Sequence, residues 1–175
     1  MSRTHTYRLG LEWTGNSGSG TATYRGYQRS HVLRHPSKPD LAGSSDVAFR
    51  GDRSRWNPEE LLVASLSACH MLVYLHQAAL AGVVVTSYTD DPVGEMVEDD
   101  DGGGRFRSVV LRPTVTVGDS SMSDAATALH AAAHDGCFIA RSVTFPVSHR
   151  PTTLVAPATG TEGPTAPLSS DERTR

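Results

Sequence analysis

The 175-residue sequence predicts an α+β domain with antiparallel strand pairing. One long helix-forming segment, 57–82, stands between short segments rich in Val, Thr and Tyr, which favour strands. An alanine-rich segment at 124–134 predicts a second helix. The length suits one domain that buries a core without disulfides, so we expect residues 1–155 to fold together. The Pro, Thr, Ser and Gly content of 156–175 predicts a disordered tail.

Short strands are predicted before the long helix. Residues 7–13 alternate apolar and polar side chains, and 21–27 and 30–34 are rich in Thr, Tyr and Val. The intervening TGNSGSG is a turn sequence, because its residues tolerate unusual backbone angles or cap their own backbone. The Pro, Gly and Ser residues of 35–56 predict a long loop before the helix.

The long helix carries signals at both ends. Asn57 is a favourable N-cap, Pro58 suits the first helical position, and Glu60 completes a capping box with Asn57. Gly82 is a typical residue just beyond a helix end. Between these ends, apolar residues lie on every side, which predicts a helix enclosed in a core. The segment is long enough to span a bilayer, but its scattered Ser, His and Gln residues argue against that.

Two further strands and the second helix follow. Residues 83–97 predict a strand broken near Pro92, since proline removes a donor from the ladder. An acidic, glycine-rich hairpin tip leads into a return strand over 105–117. Ser123 is predicted to cap the second helix, which ends near Gly136. A closing strand is predicted over 143–148.

Composition excludes several classes of protein. The net charge of −3 gives no reason to expect nucleic acid or an anionic membrane as a partner. The N-terminal segment lacks a continuous apolar stretch, so no secretory signal is expected. Two cysteines without an export signal indicate a reducing, cytoplasmic location and thiols that are reactive or buried.

The cysteines stand in sequences that resemble a known family. Cys69 lies in NPEELLVASLSAC, which is similar to the signature helix of the OsmC/Ohr family of thiol-dependent peroxidases. Cys137 stands 68 positions later in HDGCFIARSV, as the resolving cysteine of that family does. The resemblance extends over about residues 7–150 and implies an OsmC-like fold as an intertwined homodimer.

The resemblance also implies a reaction. Cys69 would attack an organic hydroperoxide and become a sulfenic acid, and Cys137 would then form a disulfide with it. A dithiol, in this family typically a lipoylated protein, would restore both thiols. No cofactor and no metal are expected. Trp56, Leu66 and Met71 are candidates for apolar walls around the peroxide's hydrocarbon tail.

A thiolate at Cys69 requires a nearby cation. Cys69 lies about three turns inside its helix, where the helix dipole gives little help, and burial among leucines disfavours a charged sulfur. The family uses an arginine held by the glutamate of its NPE motif, which is Glu59 here. Glu59 and Cys69 are ten positions apart, or about 15 Å along a helix, too far to share one small site. We therefore expect Glu59 of one subunit to face Cys69 of another.

The identity of the arginine depends on the branch of the family. Ohr-type members carry it in the first turn, where this chain has Ser17 at about the matching place. OsmC-type members carry it a few residues before the NPE motif, and Arg50 lies within one residue of that spacing. Arg50 is therefore the predicted cation, with Arg53 and Arg55 as alternatives.

Other functions remain open at the level of sequence. His130, His134 and Cys137 could bind zinc, with Asp135 or His149 as a fourth ligand. His70 beside Cys69 suggests a hydrolase dyad, although adjacent helical residues do not face each other. A non-catalytic small-molecule binder or redox sensor with the same fold is the main alternative to a peroxidase.

Overall fold

A computed structural model describes residues 3–157 and confirms the α+β class. The predicted tail over 156–175 lies almost wholly outside the described residues. Two α-helices fall within the described part, α1 (Pro58–Leu80) and α2 (Ser123–Gly136). The strands there are β1 (Gly10–Trp13), β2 (His31–His35), β3 (Lys38–Gly43), β4 (Val85–Asp90), β5 (Val93–Glu98), β6 (Gly104–Leu111), β7 (Pro113–Val117), β8 (Val147–His149) and β9 (Thr152–Val155).

The centre of the sheet structure is one long ribbon that bends. β4 pairs with β7 and β5 pairs with β6, all antiparallel, so the two halves of the ribbon form separate sheets. The predicted break near Pro92 is confirmed, and the return strand is also interrupted, at Arg112. Asp90 holds the bend, because its Oδ1 accepts a hydrogen bond from the Arg112 amide at 2.6 Å.

The last strands complete both sheets with parallel pairs, which differ from the predicted antiparallel pattern. β8 adds to β6 and β9 adds to β7. The predicted closing strand, 143–148, is shorter than expected and is followed by β9, which the sequence pattern missed. The return through α2 brings the chain back in the same direction as β6 and β7, which produces parallel pairing.

The capping signals of α1 are confirmed. Asn57 Oδ1 accepts from the Glu60 amide at 2.7 Å, and Glu60 Oε2 accepts from the Asn57 amide at 3.1 Å. Gly82 follows the helix with φ of +70°, a backbone conformation that favours glycine. Within residues 3–157, α1 is the one helix that is long and apolar enough to span a membrane. Here it packs against α2 and the strands.

Only one face of α1 is buried within the chain. Leu66, His70, Tyr74 and Ala78 are buried, and their spacing of four places them in one line along the helix. The other residues of α1 are partly or fully exposed, so the predicted enclosure of the helix holds in the single chain for this face alone.

Two apolar clusters pack against this line. The first joins Tyr74 and Ala78 to β7 and α2, with the buried residues Val83, Val115, Val117, Ala126 and Ala133. The second joins Leu66 to β6, through Val109 and Leu111. His70 lies on α1 between Leu66 and Tyr74, and therefore between the two clusters.

The N-terminal region differs from the prediction. The expected strand over 21–27 is wrong, since these residues form turns, and β2 begins only at His31. Part of the predicted loop, 35–56, forms β3, an edge strand that tolerates Pro39. The sheet β1-β2-β3 stands apart, and Gly43 is its sole buried residue.

α2 begins one residue earlier than predicted and ends as expected. Met122 occupies the N-cap position without a side-chain cap, so the predicted capping role of Ser123 is wrong. Asp119 instead caps a short 3-10 helix directly before α2, by accepting from the Ser121 amide at 2.8 Å. At the other end, a Cβ on Gly136 would lie 2.9 Å from Val73 Cγ1, so glycine lets α2 end close against α1.

Candidate functional site

The end of α2 brings the two cysteines together. Cys69 lies on α1 and is half-buried, whereas Cys137 follows the last residue of α2 and is 1% exposed. The Cys69 side chain lies near enough to Cys137 to raise the pKa of its thiol, and both thiols are free. The two predicted redox cysteines, 68 positions apart in sequence, are therefore neighbours in space.

The environment of Cys137 favours the neutral thiol. Burial raises its pKa to about 11, and the neighbouring Cys69 side chain adds to the rise. The Ala140 amide donates to Cys137 Sγ at 3.4 Å and lowers the pKa, but this effect is the smaller one. Burial therefore outweighs the backbone N–H groups that follow Cys137, and the neutral thiol is favoured.

Cys69 opens into an apolar cavity of about 690 Å³ on the exposed side of α1. The cavity is lined by Ser65, Ala68, Cys69, Leu72, Val73, His76, Gln77, Gly136 and Phe138. The predicted walls are placed differently: Leu66 is fully buried in the second cluster, Met71 is half-buried, and Trp56 lines another cavity. Leu72 and Phe138 are the large apolar side chains that Cys69 shares its cavity with.

Glu59 lies in a second cavity, at the start of α1. This cavity of about 550 Å³ has apolar walls that include Phe49, Trp56 and Phe106. Glu59 Oε2 is buried and has no hydrogen-bond partner among residues 3–157. The separation predicted from the sequence is confirmed, since no residue lines both the Glu59 and the Cys69 cavities. Each cavity thus holds one half of the predicted site.

The predicted arginines lie in neither cavity. Arg50 is exposed, with φ of +66°, and lines a cleft together with Arg29 and Arg53. Arg55 pairs with Asp52 at 3.4 Å. Within the single chain, Arg50 is therefore brought neither to Glu59 nor to Cys69, and its catalytic role stays a prediction.

A histidine cluster lies at the contact between α1 and α2. His70 Nε2 and His130 Nδ1 are hydrogen-bonded at 3.0 Å, and their ring planes differ by 5°. The His149 ring centroid lies 5.5 Å from that of His70 and 5.6 Å from that of His134. Sequence analysis missed this cluster, although the position of His70 four residues from Leu66 and from Tyr74 could have indicated its burial.

Burial suppresses the charge of these histidines. Desolvation lowers the pKa of His70 and of His130 to about 4, and the neighbouring His149 and His134 add to the effect at His70. Both rings are therefore neutral near pH 7. One ring then donates the shared hydrogen bond and the other accepts it.

The zinc set considered from sequence is not assembled. His134 faces His149, whereas Cys137 faces Cys69. In the part of the chain that the structure describes, no group of three His, Cys, Asp or Glu side chains is arranged to hold a metal ion. The hydrolase dyad is not formed either, since His70 is hydrogen-bonded to His130.

Comparison with protein families gives one match over most of the chain. The family model of OsmC-like proteins matches residues 51–151, a range that includes α1, both cysteines and the histidine cluster. No curated protein matches the sequence.

Solved structures show the same fold. An OsmC-like protein of unknown function from Vibrio cholerae is 30% identical, with a TM-score of 0.75 over 85% of this chain and 99% of that chain. An organic hydroperoxide resistance protein, OsmC, from Legionella pneumophila is 18% identical, with a TM-score of 0.62 over 87% of this chain and 100% of that chain. An organic hydroperoxide resistance protein from Elizabethkingia anophelis is 16% identical, with a TM-score of 0.60 over 88% of this chain and 100% of that chain.

Proposed function

The chain belongs to the family of OsmC-like proteins, and on this basis we propose that it is a cytoplasmic thiol peroxidase of organic hydroperoxides. The observation that carries the proposal is the contact between Cys69, open to an apolar cavity, and the buried Cys137. Two of the structural relatives are named organic hydroperoxide resistance proteins, which agrees with this activity.

The first step takes place at Cys69. Its thiolate sulfur attacks the terminal oxygen of a hydroperoxide ROOH, and the O–O bond breaks. The sulfur is oxidised by two electrons to the sulfenic acid, while the leaving alkoxide takes up a proton and departs as the alcohol. Leu72 and Phe138 offer apolar surface for the hydrocarbon part of the substrate.

The second step closes the disulfide. Cys137 attacks the Cys69 sulfur, the S–O bond breaks, and the departing hydroxide leaves as water with the proton of the Cys137 thiol. The raised pKa of Cys137 keeps it a thiol in the reduced protein, so it carries the proton that the departing hydroxide takes up. An external dithiol, in our proposal a lipoylated protein, is oxidised to its own disulfide and restores both thiols.

The proposed active form is a homodimer. Glu59 has a buried, unpartnered oxygen within the described chain, and the Cys69 cavity lies on a largely exposed face of α1. The sheet β1-β2-β3 also exposes the large apolar side chains of Leu11 and Trp13, and Leu9, just before β1, is exposed as well. A second subunit would cover these surfaces and place its Glu59 at Cys69, with Arg50 as the proposed cation between them.

Mass spectrometry of the intact reduced protein tests the chemistry. One equivalent of cumene hydroperoxide should remove two hydrogens from the wild type, which corresponds to a disulfide. Cys137→Ser should gain one oxygen, and Cys69→Ser should not change. An unchanged wild-type mass would contradict the peroxidase and favour a binding protein with the same fold.

Mixing two inactive variants tests the shared site. Cys69→Ser and Glu59→Gln chains, refolded together, should form mixed dimers with one complete site, giving about a quarter of wild-type activity. Arg50→Ala should lower activity and Arg53→Ala should not, if Arg50 is the cation. No recovery in the mixture would place Glu59 and Cys69 in independent sites.

A further inference from the structure

The buried face of α1 crosses α2 in a fixed antiparallel register. Tyr74 OH donates to the Ala126 carbonyl at 3.0 Å. His70 lies four residues before Tyr74 on α1, and it pairs with His130, which lies four residues after Ala126 on α2. α2 continues from His130 to its end at Gly136, and Cys137, which follows directly, interacts with Cys69. The His70–His130 pair is thus the last hydrogen bond between the two helices before the cysteines.

Disulfide formation needs this register. A disulfide joins Cα atoms that are about 4.4–6.8 Å apart, so it tolerates a displacement of only about 2 Å. A slip of one helix past the other by one turn would move Cys137 by about 5.4 Å. Apolar contacts alone specify such a register poorly, because they are not directional.

The hydrogen bond between the two imidazoles is directional, and it is the one hydrogen bond that each ring makes within residues 3–157. Both rings are at most 1% exposed, and their remaining nitrogens, His70 Nδ1 and His130 Nε2, make no hydrogen bond within residues 3–157. Each ring therefore makes its single hydrogen bond across the contact between the helices. Leaving either ring alone would leave a buried polar group unsatisfied, which penalises a shifted register.

We propose that His70 and His130 are positioning residues that hold Cys137 in bonding range of Cys69 and so set how readily the disulfide forms. This inference rests on the proposed function, because the disulfide is the product of its second step. It concerns the geometry of the two thiols and not the attack on peroxide.

The groups around the pair are compatible with this role. The facing titratable side chains are His149 from β8, His134 from α2, and Tyr74 on α1, whose ring centroid lies 4.2 Å from that of His130. The ring centroid of Tyr88, on β4, lies 5.7 Å from that of Tyr74. Protonation of the pair would put two positive charges at hydrogen-bond distance beside further histidines, so the register requires the neutral pair.

A thiol–disulfide equilibrium tests the proposal without peroxide. The full chain is equilibrated with mixtures of reduced and oxidised dithiothreitol, quenched with acid, and the disulfide fraction is read from the two-hydrogen mass difference. The variant is His70→Phe/His130→Phe, which replaces both polar partners by apolar rings and should retain stability. We expect its effective thiol concentration to fall about tenfold, the equivalent of about 1.4 kcal/mol.

Two controls separate positioning from general packing. Tyr74→Phe removes the hydrogen bond to Ala126, farther from the cysteines, and should change the effective concentration less than about twofold. His130→Asn retains a polar atom near the position of Nδ1. Its effective thiol concentration should therefore fall by at most half as much, on a logarithmic scale, as that of the double variant. Equal values for the double variant and the wild type would overturn the proposal.

The outcome stays informative if a variant folds poorly or if the enzyme assignment fails. Should the double variant not fold, the single variants His70→Phe and His130→Phe, each of which removes the hydrogen bond, are compared with the wild type, and values for both that match the wild type reject the positioning role. A chain that forms the disulfide in dithiothreitol but does not react with hydroperoxide would contradict the proposed function and leave the positioning inference standing.

Discussion

The two faces of α1 have opposite properties. On one face Leu66, His70, Tyr74 and Ala78 are buried against α2 and the strands. On the other face Leu72 is 63% exposed, and Cys69 opens into a cavity. The same helix, apolar all round, thus supplies the core of the fold with one face and the candidate chemistry with the other.

This contrast explains how one helix serves both purposes. Buried side chains at a spacing of four fix the helix in place, and this rigidity is what a reactive sulfur on the neighbouring position needs. The open face keeps Cys69 accessible to a substrate. A hydrophobic face left open in one chain also marks a surface suited to a partner, which fits the proposed homodimer.

The largest expected difference between the faces is in activity. Cys69→Ser should reduce peroxidase activity to background, because the nucleophile is lost. Its free energy of unfolding should stay within about 0.5 kcal/mol of the wild-type value, since Cys69 is half-buried and the change is small. Peroxide consumption assays and urea unfolding check the two parts. Activity retained in Cys69→Ser would move the chemistry away from this face.

The next effect concerns stability. Leu66→Ala should lower the free energy of unfolding by about 2–5 kcal/mol, because Leu66 is fully buried in the second cluster. Leu72→Ala is the matched control on the open face and should have a much smaller effect in the isolated chain. Urea unfolding at several protein concentrations measures both. Equal, concentration-dependent losses would show that a partner covers the open face in solution.

The buried face should also make stability depend on pH. The pKa values of His70 and His130 are lowered to about 4 in the folded protein, below their ordinary value of 6.5. The unfolded chain therefore takes up protons first, and stability falls as the pH drops from about 6.5 to about 4. The slope should reach about 1.4 kcal/mol per pH unit for each proton.

Urea unfolding across this pH range measures the slope. The His70→Phe/His130→Phe variant, which lacks both titrating rings, should show a flatter profile. A wild-type profile equally flat between pH 4 and pH 6.5 would show that the pair already carries charge in the folded state.

The smallest expected effect is at the start of α1 and is shared by both faces. Asn57→Ala removes the acceptor for the Glu60 amide and should destabilise the protein by about 1 kcal/mol. Asn57→Asp keeps a carboxyl oxygen at the same place and should cost little. Thermal unfolding of the two variants checks this. Equal losses of stability would indicate that the hydrogen bond which Asn57 Nδ2 donates to Asp46 Oδ2, at 3.4 Å, matters more than the cap.

Local signals in the sequence were sufficient for several elements. The capping box at Asn57, the glycine at 82 and the strand break near Pro92 depend on neighbouring residues, and the structure confirms each of them. The expected strand over 21–27 failed for the opposite reason. Its Thr and Tyr residues suit a strand. However, Arg29 Cζ lies 4.4 Å from the ring centroid of Tyr24 and 4.2 Å from that of Tyr27, and this packing stabilises turns.

The site was predictable in part. The motif around Cys69 and the spacing of Glu59 along the helix identified two residues and the distance between them, and the resemblance identified Cys137. The histidine pair was not predicted, because His130 and His134 share one helix face and suggested a metal site when read alone. Their actual partners, His70 and His149, come from α1 and β8, at distant positions in the chain.

The sequence by itself determined the two helices, the ends of α1, the family and the two cysteines, because each of these depends on residue type and short spacing. Tertiary structure alone decided that Cys137 is buried as a neutral thiol, that only one face of α1 is covered, and that His70 meets His130. These properties depend on which distant segments pack together and how much water they exclude. No local pattern of residues contains that information.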